Sequence, residues 1–218
     1  MVRLIVIFAA SKQKAETRME TEKRDIIISA AQKRFGLYGA EKTSMREIGD
    51  DLKISKAALY YYFPDKESLY KAVIEKEHNE FTRILSERII RESGPEQLLR
   101  DYVTSRLTYF RSLLNLSRIR LESYSDLKPV FRETLQSFRE KEKDILKVIF
   151  TKGTKAGVFH IEDTDGTALL FLDLLKGLRM SIINNKPTLT IDEEEYETLL
   201  AKTLAFTEIF IRGLKYNY

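Results

Sequence analysis

Apolar residues recur every three or four positions through most of the chain. In the stretch 21–38 they stand at Ile27, Ala30, Ala31, Phe35 and Tyr38. This spacing places them along one face of a helix, so it predicts an amphipathic α-helix that begins at about Thr21. Gly39 follows this stretch, where a left-handed glycine commonly ends a helix.

Two short helices are predicted next. Ser44 begins the sequence Ser-Met-Arg-Glu, which is typical of a capping box and predicts a helix to about Leu52. Ser55 can cap a second helix to about Tyr62, and Phe63 ends it because a residue before proline disfavours the helical conformation. The connection at 53–55 is too tight for an ordinary antiparallel pair of helices and suits a helix-turn-helix.

The rest of the chain is also predicted to be helical. Asp65 can cap a long helix to about Glu92, and Pro95 lies in the first turn of the next one, where proline is tolerated. Further helices are predicted at about 98–110, 115–124, 129–157, 163–184 and 192–214. Because no strand pattern longer than a few residues occurs, we predict an all-α fold of about nine helices.

Composition narrows the class of protein. Charged residues make up 32% and hydrophobic ones 43% of the 218 residues, which is typical of a globular, helix-rich protein. The chain has no cysteine, which excludes disulfides and thiolate metal sites and fits a cytoplasmic location. The net charge of +4 is compatible with a polyanionic partner, but the excess of 37 basic over 33 acidic residues is modest.

The first residues weakly resemble a secretory signal. Arg3 is followed by an apolar run at 4–10 and by Ser11, but this run is at the lower limit for a signal and far below the ~20 residues that span a membrane. We therefore expect no membrane partner. We interpret residues 1–20 as an extension that is poorly ordered or that precedes a working start at Met19.

The second helix of the helix-turn-helix is expected to enter the major groove of DNA. Ile54, Ala58 and Leu59 are needed to hold it on the preceding helices. Its exposed residues should then be Ser55, Lys56, Ala57, Tyr61 and Tyr62. Lysines neutralise phosphates, and tyrosines bond to phosphate or pack on sugars and bases. The alternative is that the tyrosines pack a core, and Tyr60 can both pack there and contact DNA.

Two segments resemble the DNA-binding domain of the TetR family of transcriptional regulators. They read Thr43-Ser-Met-Arg-Glu-Ile-Gly and Ile54-Ser-Lys-Ala-Ala-Leu-Tyr-Tyr-Tyr-Phe-Pro-Asp-Lys-Glu-Ser-Leu, and the resemblance extends over 26–74. It implies that Ser44 and Arg46 meet phosphate, that Lys56 and Ala57 read bases, and that Tyr60, Tyr61, Tyr62 and Lys66 hold the DNA backbone. Two positions depart from the family pattern, because Lys53 and Ala57 stand where glycine is frequent.

The resemblance also implies an organisation for the whole chain. Residues 21–68 would bind DNA, and residues 69–218 would bind an effector and dimerise. The helices near 163–184 and 192–214 would pair with their copies in a homodimer, and the run at 168–178 supports this because it is apolar nearly all round. The two DNA-binding domains of the dimer, one head from each protomer, would then bind a pseudo-palindromic double-stranded DNA operator. The function implied is a repressor that an unknown small molecule releases.

The effector pocket is expected among the helices between 95 and 180. Candidate lining residues are Tyr102, Arg106, Tyr109, Phe110, Phe131, Phe138 and Leu175. Aromatic residues at helical spacing more often pack in the hydrophobic core than contact a ligand. Arg106 has two interpretations, since it can pair with an anionic ligand or form an internal salt bridge.

Other classes of function are less well supported. The two histidines, His78 and His160, lie far apart, and no zinc pattern, nucleotide fingerprint or glycine-rich phosphate loop occurs. We therefore predict no catalytic residue, no metal and no cofactor. A sequence-neutral DNA binder and a helical interaction protein with a relict helix-turn-helix remain as alternatives.

Overall fold

The computed structural model describes residues 2–89, 94–117, 132–183 and 191–215. Over these ranges the chain forms eight α-helices and no β-strand, which confirms the all-α prediction. The helices are α1 (Val2–Tyr38), α2 (Met45–Leu52), α3 (Lys56–Tyr62), α4 (Lys66–Ile89), α5 (Pro95–Ser117), α6 (Arg132–Lys155), α7 (Thr164–Ile183) and α8 (Glu193–Leu214). The short helix predicted at 115–124 lies mostly outside the described residues, and 115–117 continue α5.

Helix α1 begins much earlier than predicted. The expected start at Thr21 is wrong, and residues 2–20 are helical rather than an unstructured extension. The segment from Val2 to Phe35 holds no proline or glycine, so nothing in it interrupts the helix. An ion pair of 3.0 Å between Arg18 and Glu22, one turn apart, joins the two sides of the expected start.

The predicted helix ends are confirmed where local chemistry defines them. Gly39 has a φ of 84°, and its N–H donates to the carbonyl of Phe35. Ser44 and Glu47 form the reciprocal capping box at α2, and Ser55 caps α3 through the N–H of Ala58. Asp192 forms a second reciprocal box at the start of α8. These caps satisfy backbone N–H groups that a helix start leaves without partners.

The chain divides into two compact units, of which the first ends at Val73 and the second begins at Ile74, inside α4. The core of the first unit is formed by fully buried side chains of α1 to α4 and of the residue that follows α3, namely Phe35, Ile48, Leu59, Leu69 and Phe63. Burying a side chain of this kind stabilises a fold by roughly 1.5–3 kcal/mol. Helix α3 is therefore held through Leu59, and the rest of its short length remains available to other partners.

The second unit packs α5 against α6 and α8, and α7 against α6 and α8. Phe150 of α6 is at its centre, with its ring about 6.3 Å from those of Phe171 and Phe210 and 6.4 Å from that of Phe159. Phe150, Phe159 and Phe171 are fully buried. An aromatic core thus joins three helices and the loop after α6.

Gly153 allows that loop to close. The N–H groups of Val158 and Phe159 donate to its carbonyl at 2.9 and 3.2 Å, which turns the chain back over α6. A Cβ added at Gly153 would lie 2.1 Å from Cδ2 of Phe159. The next residue, His160, donates its N–H to the carbonyl of Leu214 at 2.7 Å and so ties the loop to the end of α8.

None of the helices in the described ranges is long and apolar enough to cross a membrane.

Candidate nucleic-acid interface and buried polar cluster

The turn between α2 and α3 is built around Lys53. Its φ of 54° and ψ of 37° are left-handed, and its N–H donates to the carbonyl of Asp50 at 3.1 Å. Ile54 donates to the carbonyl of Gly49 at 3.0 Å. A lysine in this conformation costs roughly 1–2 kcal/mol more than in a right-handed one. Lysine therefore adopts the conformation that glycine favours, and the departure from the family pattern leaves the turn intact.

An ion-pair cluster fixes α2 on α1. Arg34 of α1 donates to both carboxylate oxygens of Asp51, at 2.6 and 3.0 Å, and lies 3.2 Å from Glu47. The hydrogen bond from Arg34 is the main reason why the pKa of Asp51 is lowered. Glu47 also serves the capping box, and its pKa is lowered mainly by the backbone N–H of Ser44. Sequence analysis missed this cluster, because Arg34 and Asp51 are 17 residues apart.

Most of α3 is exposed. The expected exposure of Ser55, Lys56, Ala57 and Tyr61 is confirmed, and Tyr60 is exposed as well. Tyr62 is half-buried, which fits a residue that packs and still reaches the surface. Ala58 was expected to hold the helix in place, but it is exposed, because the contact with the core is made by Leu59.

Tyr61 is the most exposed of the three tyrosines, at 72%. Its hydroxyl donates to Oε1 of Glu20 at 2.9 Å, and its ring packs edge to face on Tyr62. The hydrogen bond to this carboxylate raises the pKa of Tyr61. Glu20 belongs to the part of α1 that was not expected to be helical, so this contact was not predictable from the motif.

The start of α2 presents two of the predicted DNA contacts. Ser44 is exposed, and its hydroxyl exchanges hydrogen bonds with Glu47. The side chain of Arg46 is 87% exposed and lies 3.8 Å from Asp50. Its guanidinium can therefore move to another anion with little loss of contacts.

Lys66 differs from the other predicted DNA contacts. Its ammonium group donates to the carbonyls of Ala40, Thr43 and Glu41, at 3.0, 3.2 and 3.4 Å. An ammonium group has three donors, and all three are engaged. Lys66 thus ties the start of α4 to the loop before Ser44, and a phosphate contact would require it to give up one of these bonds.

The second unit holds a buried charged pair. Arg106 of α5 donates to Glu142 of α6 at 2.5 and 3.3 Å, and Tyr102 donates to the same carboxylate at 3.0 Å. The two charged side chains are each 6% exposed. Burial alone would lower the pKa of Arg106, but attraction to Glu142 more than offsets it and the pKa is raised. Of the two interpretations of Arg106, the internal salt bridge is present.

An aromatic and polar cluster lies beside this pair. His78 of α4 stacks on Phe138 with ring centroids 3.6 Å apart, and Phe81 stacks on Tyr109 at 4.5 Å. The rings of His78 and Tyr109 lie 5.7 Å apart. His78 is 1% and Tyr109 8% exposed, yet neither imidazole nitrogen nor the tyrosine hydroxyl has a hydrogen-bond partner among the described residues. A buried polar group in that state costs about 1–3 kcal/mol.

The remaining effector candidates are only partly brought together. Phe110 lies under the guanidinium groups of Arg106 and Arg179, at 4.5 and 4.0 Å. Leu175 is buried on α7, and Phe131 is outside the described residues. Sequence analysis did not propose His78, although Ile74, His78, Phe81 and Leu85 follow helical spacing. That spacing places His78 on the apolar face of α4 and could have indicated that it is buried.

Part of the surface of the second unit is apolar. Large apolar side chains are exposed on α7 and α8, namely Leu170 at 54%, Leu174 at 38% and Ile209 at 69%. Surface of this kind often marks a contact with another protein. In the part of the chain that the structure describes, no group of three or more histidine and carboxylate side chains is placed to hold a metal ion.

Known proteins resemble both the first unit and the whole chain. A family model described as bacterial regulatory proteins, tetR family, matches residues 27–73. A transcriptional regulator from Cytophaga hutchinsonii ATCC 33406, known from its crystal structure, is 38% identical with a TM-score of 0.82, and the match covers 89% of this chain and 99% of that one.

Curated relatives in Bacillus subtilis (strain 168) match smaller parts. The uncharacterized HTH-type transcriptional regulator YuxN is 44% identical over 66 residues, which are 30% of this chain and 23% of YuxN. The probable HTH-type transcriptional regulator YttP is 28% identical over 140 residues, which are 63% of this chain and 67% of YttP. The matched parts therefore leave much of these two relatives uncovered. The crystal structure from Cytophaga hutchinsonii matches at near full length, and with the family model it shows that the chain belongs to the tetR family of bacterial regulatory proteins.

Proposed function

We propose that the protein is a transcriptional repressor in the cytoplasm that binds a pseudo-palindromic operator as a homodimer and is released by a small molecule. The observation that carries the proposal is the short α3, which is held by one buried residue, Leu59, and exposes Lys56, Ala57 and Tyr61. A capped helix with small and basic residues at its start is suited to the major groove. The protein then acts by binding and not by catalysis.

The contacts with DNA follow from the chemistry of the exposed groups. Lys56 and Ala57, at the start of α3, would read base edges. Ser44 and Arg46 at the start of α2 would meet phosphates, and so would the tyrosine hydroxyls of Tyr60, Tyr61 and Tyr62. Lys66 would act mainly through the loop that it holds. A sequence-neutral DNA binder would need only phosphate contacts, so the exposed start of α3, which suits base contacts, favours the sequence-specific function.

Dimerisation would use the apolar surface of α7 and α8. Leu170, Leu174 and Ile209 are costly to leave in water, and contact with a second copy would bury them. Two heads roughly 34–36 Å apart would then reach successive major grooves on one side of the DNA. The proposal also divides the functions along the chain, with DNA binding in residues 21–68 and effector binding and dimerisation in residues 69–218.

Release would come from the second unit. A ligand that binds more tightly when the two heads are spread would shift the population away from the form that fits the operator. The polar groups of His78 and Tyr109 support such a site, because they are buried and have no hydrogen-bond partner among the described residues.

The proposal is tested by fluorescence anisotropy with labelled DNA from upstream of the gene, or with operators selected from a random pool. Binding at two protomers per site that survives random competitor DNA is expected. Lys56→Ala should weaken it, whereas the control Lys155→Ala, at the exposed end of α6, should not. Loss of binding to competitor, even with selected DNA, would favour the sequence-neutral binder.

The dimer is tested separately by sedimentation. Ile209→Asp should convert the dimer to monomer and abolish tight operator binding. Val148→Asp is a matched control, because Val148 is 51% exposed on α6. A dimer that survives Ile209→Asp would contradict the proposed interface.

A further inference from the structure

We infer that His78 and Tyr109 form the polar end of the effector site and that they recognise an uncharged aromatic molecule bearing a hydroxyl group. This inference rests on the proposed function, since it names the chemical class of the ligand that would release the operator. The sequence pattern made Tyr109 a candidate for the effector pocket but did not include His78. The neighbouring buried pair of Arg106 and Glu142 is excluded from the site.

The first step is the state of the buried polar atoms. Both nitrogens of His78 and the hydroxyl of Tyr109 lie in the interior without a hydrogen-bond partner in the described ranges. Close by, the polar atoms of Arg106 and Tyr102 are bonded to the carboxylate of Glu142. Arg106, Tyr102 and Glu142 thus satisfy one another, whereas the neutral side chains of His78 and Tyr109 are left without a partner. Buried polar groups are rarely left in that state in native proteins.

The second step is the shape of the surroundings. One face of the His78 ring is covered by Phe138 at 3.6 Å, and the ring of Phe81 lies parallel to that of Tyr109 at 4.5 Å. Phe110 approaches Tyr109 at 5.3 Å. Aromatic side chains therefore surround the two polar groups on several sides. A flat, apolar ring is the ligand body that packs best on such walls.

The third step is charge. Burial lowers the pKa of His78 to about 4, so its imidazole is neutral near pH 7 and offers one donor and one acceptor. Burial also raises the pKa of Tyr109, so its hydroxyl stays protonated. The charge of Arg106 is already paired with Glu142. A charged ligand group would have to give up its hydration for two neutral partners, which is unfavourable.

The fourth step selects the hydroxyl group. The rings of His78 and Tyr109 meet edge to face, with their centroids 5.7 Å apart. The inference places one small polar group of the ligand where it would bond to both side chains. A hydroxyl oxygen accepts a hydrogen bond from Tyr109 and at the same time donates its own proton to a nitrogen of His78. A phenol or an aromatic alcohol has both this group and the flat ring.

The experiment uses the full chain and naphthol as the probe. The chain has no tryptophan, so the emission of naphthol can be followed without overlap from that residue. We expect naphthol to bind, naphthalene to bind at least ~10-fold more weakly because it lacks the hydroxyl, and naphthoate to bind more weakly because it is charged. Equal binding of naphthol and naphthalene, or tighter binding of naphthoate, would overturn the inference.

Two variants locate the site. His78→Phe and Tyr109→Phe should each lower the affinity for naphthol roughly 10-fold, while the thermal midpoint stays the same or rises because an unsatisfied group has been removed. Tyr196→Phe is the matched control, because Tyr196 is also buried but its hydroxyl is already hydrogen-bonded to Thr108 at 3.0 Å. Unchanged affinity in both test variants would contradict the site.

A spectroscopic readout separates this site from others on the surface. The chain has two histidines, so nitrogen-15 spectra of the imidazoles contain signals from only two side chains. Naphthol should shift those of His78 and leave those of His160 unchanged. Movement of His160 alone would place the probe elsewhere.

Operator binding measured on the same samples distinguishes the two proposals. Specific operator binding without naphthol binding would overturn the inference and leave the repressor intact. Naphthol binding at His78 without specific operator binding would support the site and count against the repressor. Binding of both, with naphthol weakening the operator complex, is the expected result.

Discussion

Tyr61 of the first unit and Tyr102 and Tyr109 of the second differ in where their hydroxyls lie. Helix α3 carries Tyr61 at 72% exposure, and its hydroxyl bonds to the side chain of Glu20 at the surface. Helix α5 carries Tyr102 and Tyr109, whose hydroxyls are buried. Tyr102 bonds to Glu142, whereas the hydroxyl of Tyr109 has no partner in the described part of the chain.

The difference separates two ways of preparing a site. An exposed hydroxyl exchanges one partner for another at little cost, because water solvates it in between. A buried hydroxyl depends on the partner that the fold or a ligand provides. The exposed hydroxyl of Tyr61 can therefore pass to another hydrated partner, whereas the buried hydroxyl of Tyr109 can be satisfied only by a group that reaches the interior.

The largest effect is expected where the buried network loses its charge balance. Glu142→Gln keeps the shape of the side chain but leaves the cation of Arg106 uncompensated. Removing one partner of a buried pair costs about 3–5 kcal/mol, so the free energy of unfolding in urea should fall by that order. The matched control is Asp173→Asn, which breaks an exposed pair with Arg139 and should cost less than about 1 kcal/mol. Equal losses in both variants would remove the distinction between buried and exposed networks.

A smaller effect is expected from protonation of His78. Its pKa of about 4 lies below the ordinary 6.5, so the unfolded chain binds this proton more readily. Stability should be at its full value above pH 6.5 and should fall by about 3 kcal/mol as the pH is lowered to 4. Glu142 opposes the shift, while Lys141 and Arg106 add to it.

The His78 contribution is measured as a difference from a variant. His78→Phe has no imidazole, so the gap between the two unfolding curves isolates this residue from the other groups that titrate. A gap that does not change between pH 7 and pH 4 would mean that His78 is solvated in the folded protein.

On the exposed side, Tyr61→Phe should weaken operator binding roughly 10-fold and leave the thermal midpoint unchanged, because the hydroxyl is proposed to bond to phosphate and lies at the surface. Glu20→Gln is the counterpart, since it removes the carboxylate that holds the hydroxyl and should leave binding equal or tighter. Anisotropy at a fixed salt concentration measures both. Unchanged affinity in Tyr61→Phe would take its hydroxyl out of the interface.

The smallest effect is expected from Lys66→Met, which removes the bonds to the loop before Ser44. It should lower stability by about 1 kcal/mol and weaken binding to all sequences alike. The slope of affinity against salt concentration should be unchanged if Lys66 acts through the loop. A slope shallower by roughly one unit per operator half would identify a direct phosphate contact.

The two units also differ in how far the sequence predicts them. In the first unit, the caps at Ser44 and Ser55 were predicted because each depends on residues three positions apart. The buried pair joins Arg106 to Glu142, which is 36 residues away, and no local rule selects that partner. Helix spacing showed which residues are buried and not which polar atoms meet.

The errors have the same physical origin. The early start of α1 was missed because the segment at 2–20 has no start signal of its own, and helix formers simply continue through it. His78 was passed over because a lone histidine on an apolar face gives no indication of its partners. The motif at 43–69 was informative because a short, exposed helix must present its chemistry in consecutive residues.

The contact between Gly153 and Phe159 limits which sequences can adopt this fold. Even alanine at residue 153 would put its methyl carbon 2.1 Å from Cδ2 of Phe159, whose buried ring packs edge to face on that of Phe150. In a saturation library selected for folded protein, this site should return glycine almost alone, while exposed positions of the same helix, such as Lys155, accept many residues. A missing side chain at one position of α6 thus restricts the sequences that can fold in this way more tightly than the exposed positions of the same helix do.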